Sequence, residues 1–261
     1  MSQGPARIHQ LQAETRKHYD SYTFDFNTEE RAQTKMEKAL LGKFLRQNAP
    51  KPGDVLTDIG CGAGIISSLV KRTYGVAPIG LDLSFVSAKK ARQNGTPTVQ
   101  GSNLDLPFRD GCADFIISNG VIQMTPDPRR SFNELCRILK PGGKLFLSMY
   151  NKLSLYYIIY NWFGWPWRKA REAGLEWLIR FVAFPLFYLP LALGNILILG
   201  SARRIPGKMA WHLFNDQIMA PQAAFYTFSE IESWAKNQGV VCLEKKKESF
   251  GFMLSFIFFK P

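Results

Sequence analysis

Three glycines at alternate positions, Gly60, Gly62 and Gly64, follow an apolar run that carries Asp58, and Asp82 stands eighteen residues past the last of them. Glycines so spaced let a backbone turn sharply and approach a ligand with no Cβ in the way. Where such a turn opens a helix, the unpaired amides of the first helical turn can receive a carboxylate. The dinucleotide fingerprint would need its third glycine at position 65, which is Ile65, so a nicotinamide dinucleotide is disfavoured. Asp82 closes the run Ile79-Gly80-Leu81-Asp82, and a carboxylate at such a strand end can accept from both hydroxyls of a ribose.

Positioning these groups calls for short buried strands alternating with helices. The apolar runs predict strands over Val55–Ile59, Ala77–Leu81, Thr98–Gln100, Asp114–Ser118 and Lys144–Tyr150, the last after a turn at Pro141-Gly142-Gly143. Helices are expected over Ile65–Arg72, Phe85–Gln93 and Arg129–Leu139. Upstream, residues 28–47 read as one amphipathic helix, capped by Thr28, with Ala32, Met36, Leu40 and Phe44 at helical spacing. After Asn151 the β–α rhythm stops, and it resumes with a helix at Ser229–Gln238 and strands at Val240–Lys247 and Phe252–Phe259. A single turn joins these last two strands, so they should pair antiparallel. The expected fold is α/β: a Rossmann-like, doubly wound, seven-stranded and mostly parallel sheet with an antiparallel last strand and an apolar helical insertion after the fifth strand. The expected segments are a helical lid at 1–50, a ligand-binding core at 51–150, a cap insertion at 151–225 and the rest of the core at 226–261.

A hydrophobic fraction of 46% supports a packed core. The polar N-terminal stretch predicts no signal peptide, and Ser2 excludes N-myristoylation. Cys61, Cys112, Cys136 and Cys242 form no Cys-x-x-Cys pair, and His9, His18 and His212 lack ligand spacing, so no metal site is expected. The net charge is +12, and residues 151–220 contribute the largest excess, with 8 basic against 3 acidic side chains.

In order and spacing, Asp58–Gly64, Asp82, Gly101–Phe108, Asp114–Val121 and Leu139–Ser148 resemble the class I S-adenosylmethionine-dependent methyltransferases, the group that includes quinone and other small-molecule methylating enzymes. The resemblance covers roughly residues 50–150 and returns at 225–261. It implies S-adenosylmethionine as cofactor. Gly60, Gly62 and Gly64 would face its methionine part, Asp82 its ribose and Leu83 its adenine, with Asp58 also among the cofactor-binding residues. The family has aspartate where Ser102 stands, which puts the contact to the adenine amino group on Ser102, Asn103 or backbone near Leu104. Asn119 would lie beneath the sulfonium. The family's histidine near position 123 is replaced by Gln123, which removes a general base.

Methyl transfer from a sulfonium needs positioning and water exclusion, and a base only if the acceptor must lose a proton. Candidates to orient or deprotonate an acceptor are His18, Tyr19 and Tyr150, with Tyr22 and His212 behind them. Residues 1–27 and 151–225 are expected to close over the acceptor. Within the insertion, Phe181–Leu199 is nineteen residues without a charge, broken by Pro185, Pro190, Gly194 and Asn195. Tyr156, Tyr157, Tyr160, Trp162, Trp165 and Trp167 precede Arg168, Lys169 and Arg171, a mixture suited to lipid headgroups. A cap dipping into one leaflet, a soluble apolar lid and a spanning segment all remain open. The reading is a methyltransferase acting on a hydrophobic small-molecule or lipid-like acceptor, peripheral on the inner face of a membrane. An RNA methyltransferase is an alternative, as is a catalytically weak methyltransferase-like partner protein; nucleic acid is the less favoured partner.

Overall fold

Apolar runs of three to seven residues, closed by glycine or by helix-capping residues, become the inner strands of a twisted sheet. In the computed structural model these are β1 (Leu56–Ile59), β2 (Ile79–Asp82), β3 (Thr98–Gln100) and β4 (Ala113–Asn119), followed by the longer β5 (Leu139–Asn151). The structure describes residues 4–21, 29–189 and 207–261, with residues 29–31, 35 and 36 by backbone alone. The five strands pair in parallel in the order β3-β2-β1-β4-β5. A two-residue β6 (Phe225–Tyr226) pairs in parallel with the end of β5. β8 (Met253–Phe259) runs antiparallel between β5 and β7 (Val241–Glu248). The expected mixed sheet with its antiparallel last strand is present, with β6 as an additional short strand. Pro141-Gly142-Gly143 is no separate turn: it lies inside β5, where the register against β4 shifts.

The inner strands are covered on both faces, as parallel strands require. One layer buries Phe44 and Leu45 of α3 (Leu40–Asn48) and Leu69 and Val70 of α4 (Ile65–Tyr74) against Leu56, Ile117 and Phe146. The other buries Phe132 and Leu135 of α6 (Pro128–Ile138) and Ile231 of α11 (Phe228–Asn237) against Ile59, Ile116, Leu145 and Leu147. Neighbours such as Ile116 and Ile117 face opposite layers, the two-residue period of a strand.

Two N-terminal features depart from expectation. Residues 28–47 are not one helix: α2 (Glu29–Lys38) stops at Ala39, whose backbone is extended, and α3 restarts after it. The amide of Leu40 donates to the Glu248 carboxylate at 2.8 Å, a long-range bond that fixes the break. Thr28 and the side chain of Met36 lie outside the described residues. Ahead of them, Pro5–Ser21 forms a seventeen-residue helix, α1, with Leu11, Thr15 and His18 buried.

The chain divides into two compact units, Met1–Ser154 with Gln222–Pro261, and Leu155–Pro221. The second is helical. α7 (Leu155–Ile158), a π-helical stretch (Ile159–Phe163) and α8 (Gly164–Glu172) are continuous. α9 (Glu176–Leu178), a second π-helical stretch (Ile179–Ala183) and helix over 184–189 form the next arm, and α10 (Gly207–Gln217) returns. Ile179, Ala183, Phe214, Ile218 and Met219 make its core, with Phe163, Trp167, Phe184 and Phe187 packed around them. Arg168 and Arg171 turn inward instead of toward solvent. Arg168 lies 4.0 Å from the Tyr160 ring centre and donates to the Ile218 carbonyl, while Arg171 donates to the Met219 carbonyl and to Asn215. Tyr156 and Tyr160 donate to the carbonyls of Gln217 and Ala220. These four side chains serve the carbonyls at and just past the end of α10, which no intrahelical partner can reach.

Candidate active site

β1 delivers its chain directly into the glycine turn. Gly60, Gly62 and Gly64 all have positive φ, a conformation that costs other residues dearly. At Gly60 the requirement is also steric, because a Cβ would stand 2.3 Å from the side chain of Val121. α4 begins at Ile65 with no side-chain cap, so no capping side chain takes up its first amides.

Two carboxylates flank the turn. Asp58 is buried and accepts a 2.6 Å hydrogen bond from the Ser67 hydroxyl. Burial, with the charge of Asp82 as a smaller contribution, pushes its carboxyl up to about 6 against that bond. Asp82, at the end of β2, accepts from the Gly62 amide on one oxygen and from the Ser84 amide on the other, each at 2.9 Å. Burial pushes it too up to about 6, opposed by these amides and assisted by Asp20. Each oxygen keeps a lone pair for a further donor. Cys61, within the turn, has its thiol pushed far up by burial and by Asp58 and Asp82, so it stays protonated at neutral pH.

α1 supplies a wall that no motif announces. The Ser84 hydroxyl donates to Asp20 at 2.7 Å and to the Tyr19 carbonyl at 3.3 Å. Beyond Asp82 a cavity of about 720 Å³ is bordered by Gln12, Arg16, Asp20, Leu83, Gln100 and Ser102. Gln12 Nε2 bonds the Ser102 hydroxyl, which also accepts from the Leu104 amide at 3.0 Å. Asn103 and Leu104 are themselves buried.

At the end of β4, Asn119 Oδ1 accepts from the Ser148 hydroxyl at 2.7 Å. The following 3-10 turn, Ile122–Met124, carries Gln123, which is 0% exposed with both amide atoms unpaired. Its backbone is fixed, because its carbonyl accepts from the Ala224 amide at 2.9 Å. Gln123 Nε2 and the Met253 methyl both border the place where a side chain on Gly120 would stand. Of the other candidates, His18 is buried on α1 with its ring edge-on to Tyr19, and Tyr150 is buried at the end of β5, stacked on Phe225 at 5.4 Å. His212 lies on α10 of the helical unit, and Tyr22 falls outside the described residues. No cluster of metal-binding side chains occurs among the described residues.

Residues 57–147 match a methyltransferase domain family. A Bos taurus protein named "Probable tRNA methyltransferase 9B" is 38% identical over 111 residues, which is 41% of this chain and only 23% of that relative. Demethylmenaquinone methyltransferase of Corynebacterium kroppenstedtii is 31% identical over 96 residues, 37% of this chain and 42% of that enzyme. The chain thus aligns with less than half the length of either relative. Its fold is similar to a chain of the solved Haloferax volcanii complex that contains the Trm112 methyltransferase activator, with a TM-score of 0.58 and 17% identity over 93% of this chain and 97% of that one.

Proposed function

We propose that this chain, whose residues 57–147 match a methyltransferase domain family, is a class I S-adenosylmethionine-dependent enzyme that methylates a hydrophobic small-molecule or lipid-like acceptor at the anionic inner face of a membrane. When bound, the cofactor supplies an electrophilic methyl group on a sulfonium. The chain's own groups fit it. The glycine turn and the uncapped amides of α4 receive a carboxylate, Asp82 offers one lone pair from each oxygen to the ribose hydroxyls, and Leu83 covers the base. Asn119, held by the Ser148 hydroxyl, would lie beneath the sulfonium. His18, Tyr19 and Tyr150 orient the acceptor, and the Gln123 amide can hold it without taking its proton.

The observation that carries the acceptor class is the set of exposed apolar side chains on the helical unit. Leu155, Ile158, Trp162 and Trp165 recur at helical spacing and are all exposed, Trp162 to 78%. Trp177, Phe181, Leu186 and Leu189 continue the exposure on the next arm, Phe181 at 70%. Large apolar side chains exposed in this number mark an interaction surface, and tryptophans close in sequence to Lys169 and Arg180 suit a headgroup layer. No helix among the described residues is long and apolar enough to cross a membrane, so the reading is peripheral. The quinone-type relative has an acceptor of the proposed class in its name.

An RNA acceptor is the second reading, favoured by the tRNA-type relative and the net charge of +12. Incubation with methyl-labelled S-adenosylmethionine and separate lipid, RNA and polar-metabolite extracts decides between them. Label in the lipid fraction is expected. Label confined to RNA would establish the second reading, and label in none would remove the enzymatic one.

A further inference from the structure

The hairpin that joins β7 to β8 turns through three consecutive residues with left-handed backbone, Ser249 (φ 51°), Phe250 (φ 57°) and Gly251 (φ 84°). Glycine suits such a turn, whereas a bulky side chain there is an outlier that costs free energy. Packing returns nothing to Phe250, because its side chain is 88% exposed, more than any other large apolar residue among those described. Backbone strain of this kind concentrates at functional positions.

A second exposed apolar side chain is fastened to the tip. Asn151 is buried at the end of β5, where its Nδ2 donates to the Gly251 carbonyl at 2.7 Å and its Oδ1 accepts from the Leu153 amide at 3.0 Å. The Asn151 amide donates in turn to the Phe252 carbonyl at 2.9 Å. One buried side chain thus holds the backbone of Leu153, itself 75% exposed, to the hairpin tip. The adjoining strand supplies charge. Lys246 and Lys247 are exposed near the end of β7, while the carboxylate of Glu248 is taken up by the Leu40 amide and the Ser255 hydroxyl. The hairpin is therefore apolar at its tip and basic behind it.

The tip stands at the carboxyl edge of the parallel strands, the edge that carries the candidate site. Met253, three residues past Phe250, pairs with Tyr150 of β5, and its methyl lies 3.5 Å from where a side chain on Gly120 would stand, beside Gln123. Two side chains on a narrow turn offer far less than the roughly 1,000 Å² that a stable protein interface buries. A lipid leaflet needs no matching surface: it takes in an apolar tip while anionic headgroups meet the lysines.

We infer that the Ser249–Gly251 hairpin, together with Leu153, inserts Phe250 into an anionic lipid leaflet and so holds the candidate site at the leaflet's surface. The inference rests on the membrane reading of the proposed function, but on residues of the core unit that this reading did not use.

Partition of the full chain between buffer and vesicles of equal parts phosphatidylcholine and phosphatidylglycerol, compared for wild type and Phe250→Gly, tests this. Glycine suits the left-handed turn and no packing is lost, so the variant should melt no lower than the wild type. It should also bind S-adenosylhomocysteine, the demethylated cofactor, unchanged. Its partition coefficient should fall about tenfold, since an aromatic ring no longer leaves water for the leaflet. Equal partition of the two proteins, or a Phe250→Gly that melts lower, overturns the inference and leaves the membrane reading standing. A wild type that stays in the buffer overturns both. Self-association of the wild type without lipid, lost in Phe250→Gly, would give the tip to a second copy and overturn the lipid assignment.

Discussion

A buried carboxyl hydrogen-bonded to a single hydroxyl, such as Asp58, loses solvation that one bond does not replace, which is why its proton is held up to about 6. Because the folded value lies above the unfolded one of 3.8, the folded state keeps a proton between about pH 4 and 6 that the unfolded chain has released. Stability is therefore lost as pH rises through that window and stays reduced above it. Asn at this position still accepts from Ser67 and carries no charge. Asp58→Asn should raise the ligand-free protein's stability at pH 8 by roughly 1–3 kcal/mol and by about half as much at pH 5, midway through the window. Thermal unfolding at the two pH values checks this; a variant no more stable at pH 8 would contradict it. Asp82 is not equivalent, since its two oxygens are each bound to a backbone amide and an asparagine there would turn its NH₂ toward one of them.

At the scale of elements, α1 is peripheral to the core but not to the site. None of its residues joins the two packed layers of the sheet, while Gln12, Tyr19 and Asp20 reach Ser102 and Ser84. Removing residues 1–21 should leave cooperative unfolding by circular dichroism and weaken S-adenosylhomocysteine binding about tenfold, the ~1.4 kcal/mol of one or two hydrogen bonds. Unchanged affinity would detach α1 from the site. The strands and the helix Phe85–Gln93 were legible in the sequence because buried parallel strands are continuous apolar runs and Ser84 is a capping residue. α1 was not, since Leu11 is the one large apolar side chain among its buried residues. The break at Ala39 was hidden for another reason: the group that fixes it is Glu248, more than two hundred residues away. Alternate glycines made the turn readable, whereas the burial of Gln123 and the bond from Gln12 to Ser102 arise only when separate elements meet. The same holds for Arg168 and Arg171, which composition assigns to a headgroup layer and the structure gives to the carbonyls beyond α10.

For the molecule as a whole, the charge of +12 and the exposed apolar side chains of the helical unit set its expected behaviour at a lipid surface. With Arg168 and Arg171 occupied internally and Arg203 and Arg204 outside the described residues, Lys169, Arg180 and Lys208 are the exposed cations described in this unit. Each cation near an anionic surface adds about 1 kcal/mol, so binding should rise with anionic lipid content and rest mainly on the aromatic side chains. Flotation should show the wild type on anionic liposomes and a Trp162→Ser, Trp165→Ser, Phe181→Ser variant largely free. Equal flotation of the two, or none for either, would leave those side chains without a lipid partner. The connection of this unit has a further consequence. The chain leaves the core after β5 and rejoins it at β6, and those two strands are paired, Tyr150 with Phe225 and Asn151 with Tyr226. Exit and re-entry points are thus stapled together by backbone bonds that belong to the core. A segment joined in this way is interchangeable: a shorter loop or an unrelated cap can be spliced between Asn151 and Phe225 without disturbing β1, β2 or the glycine turn, so one cofactor-binding core can be refitted for a different clientele.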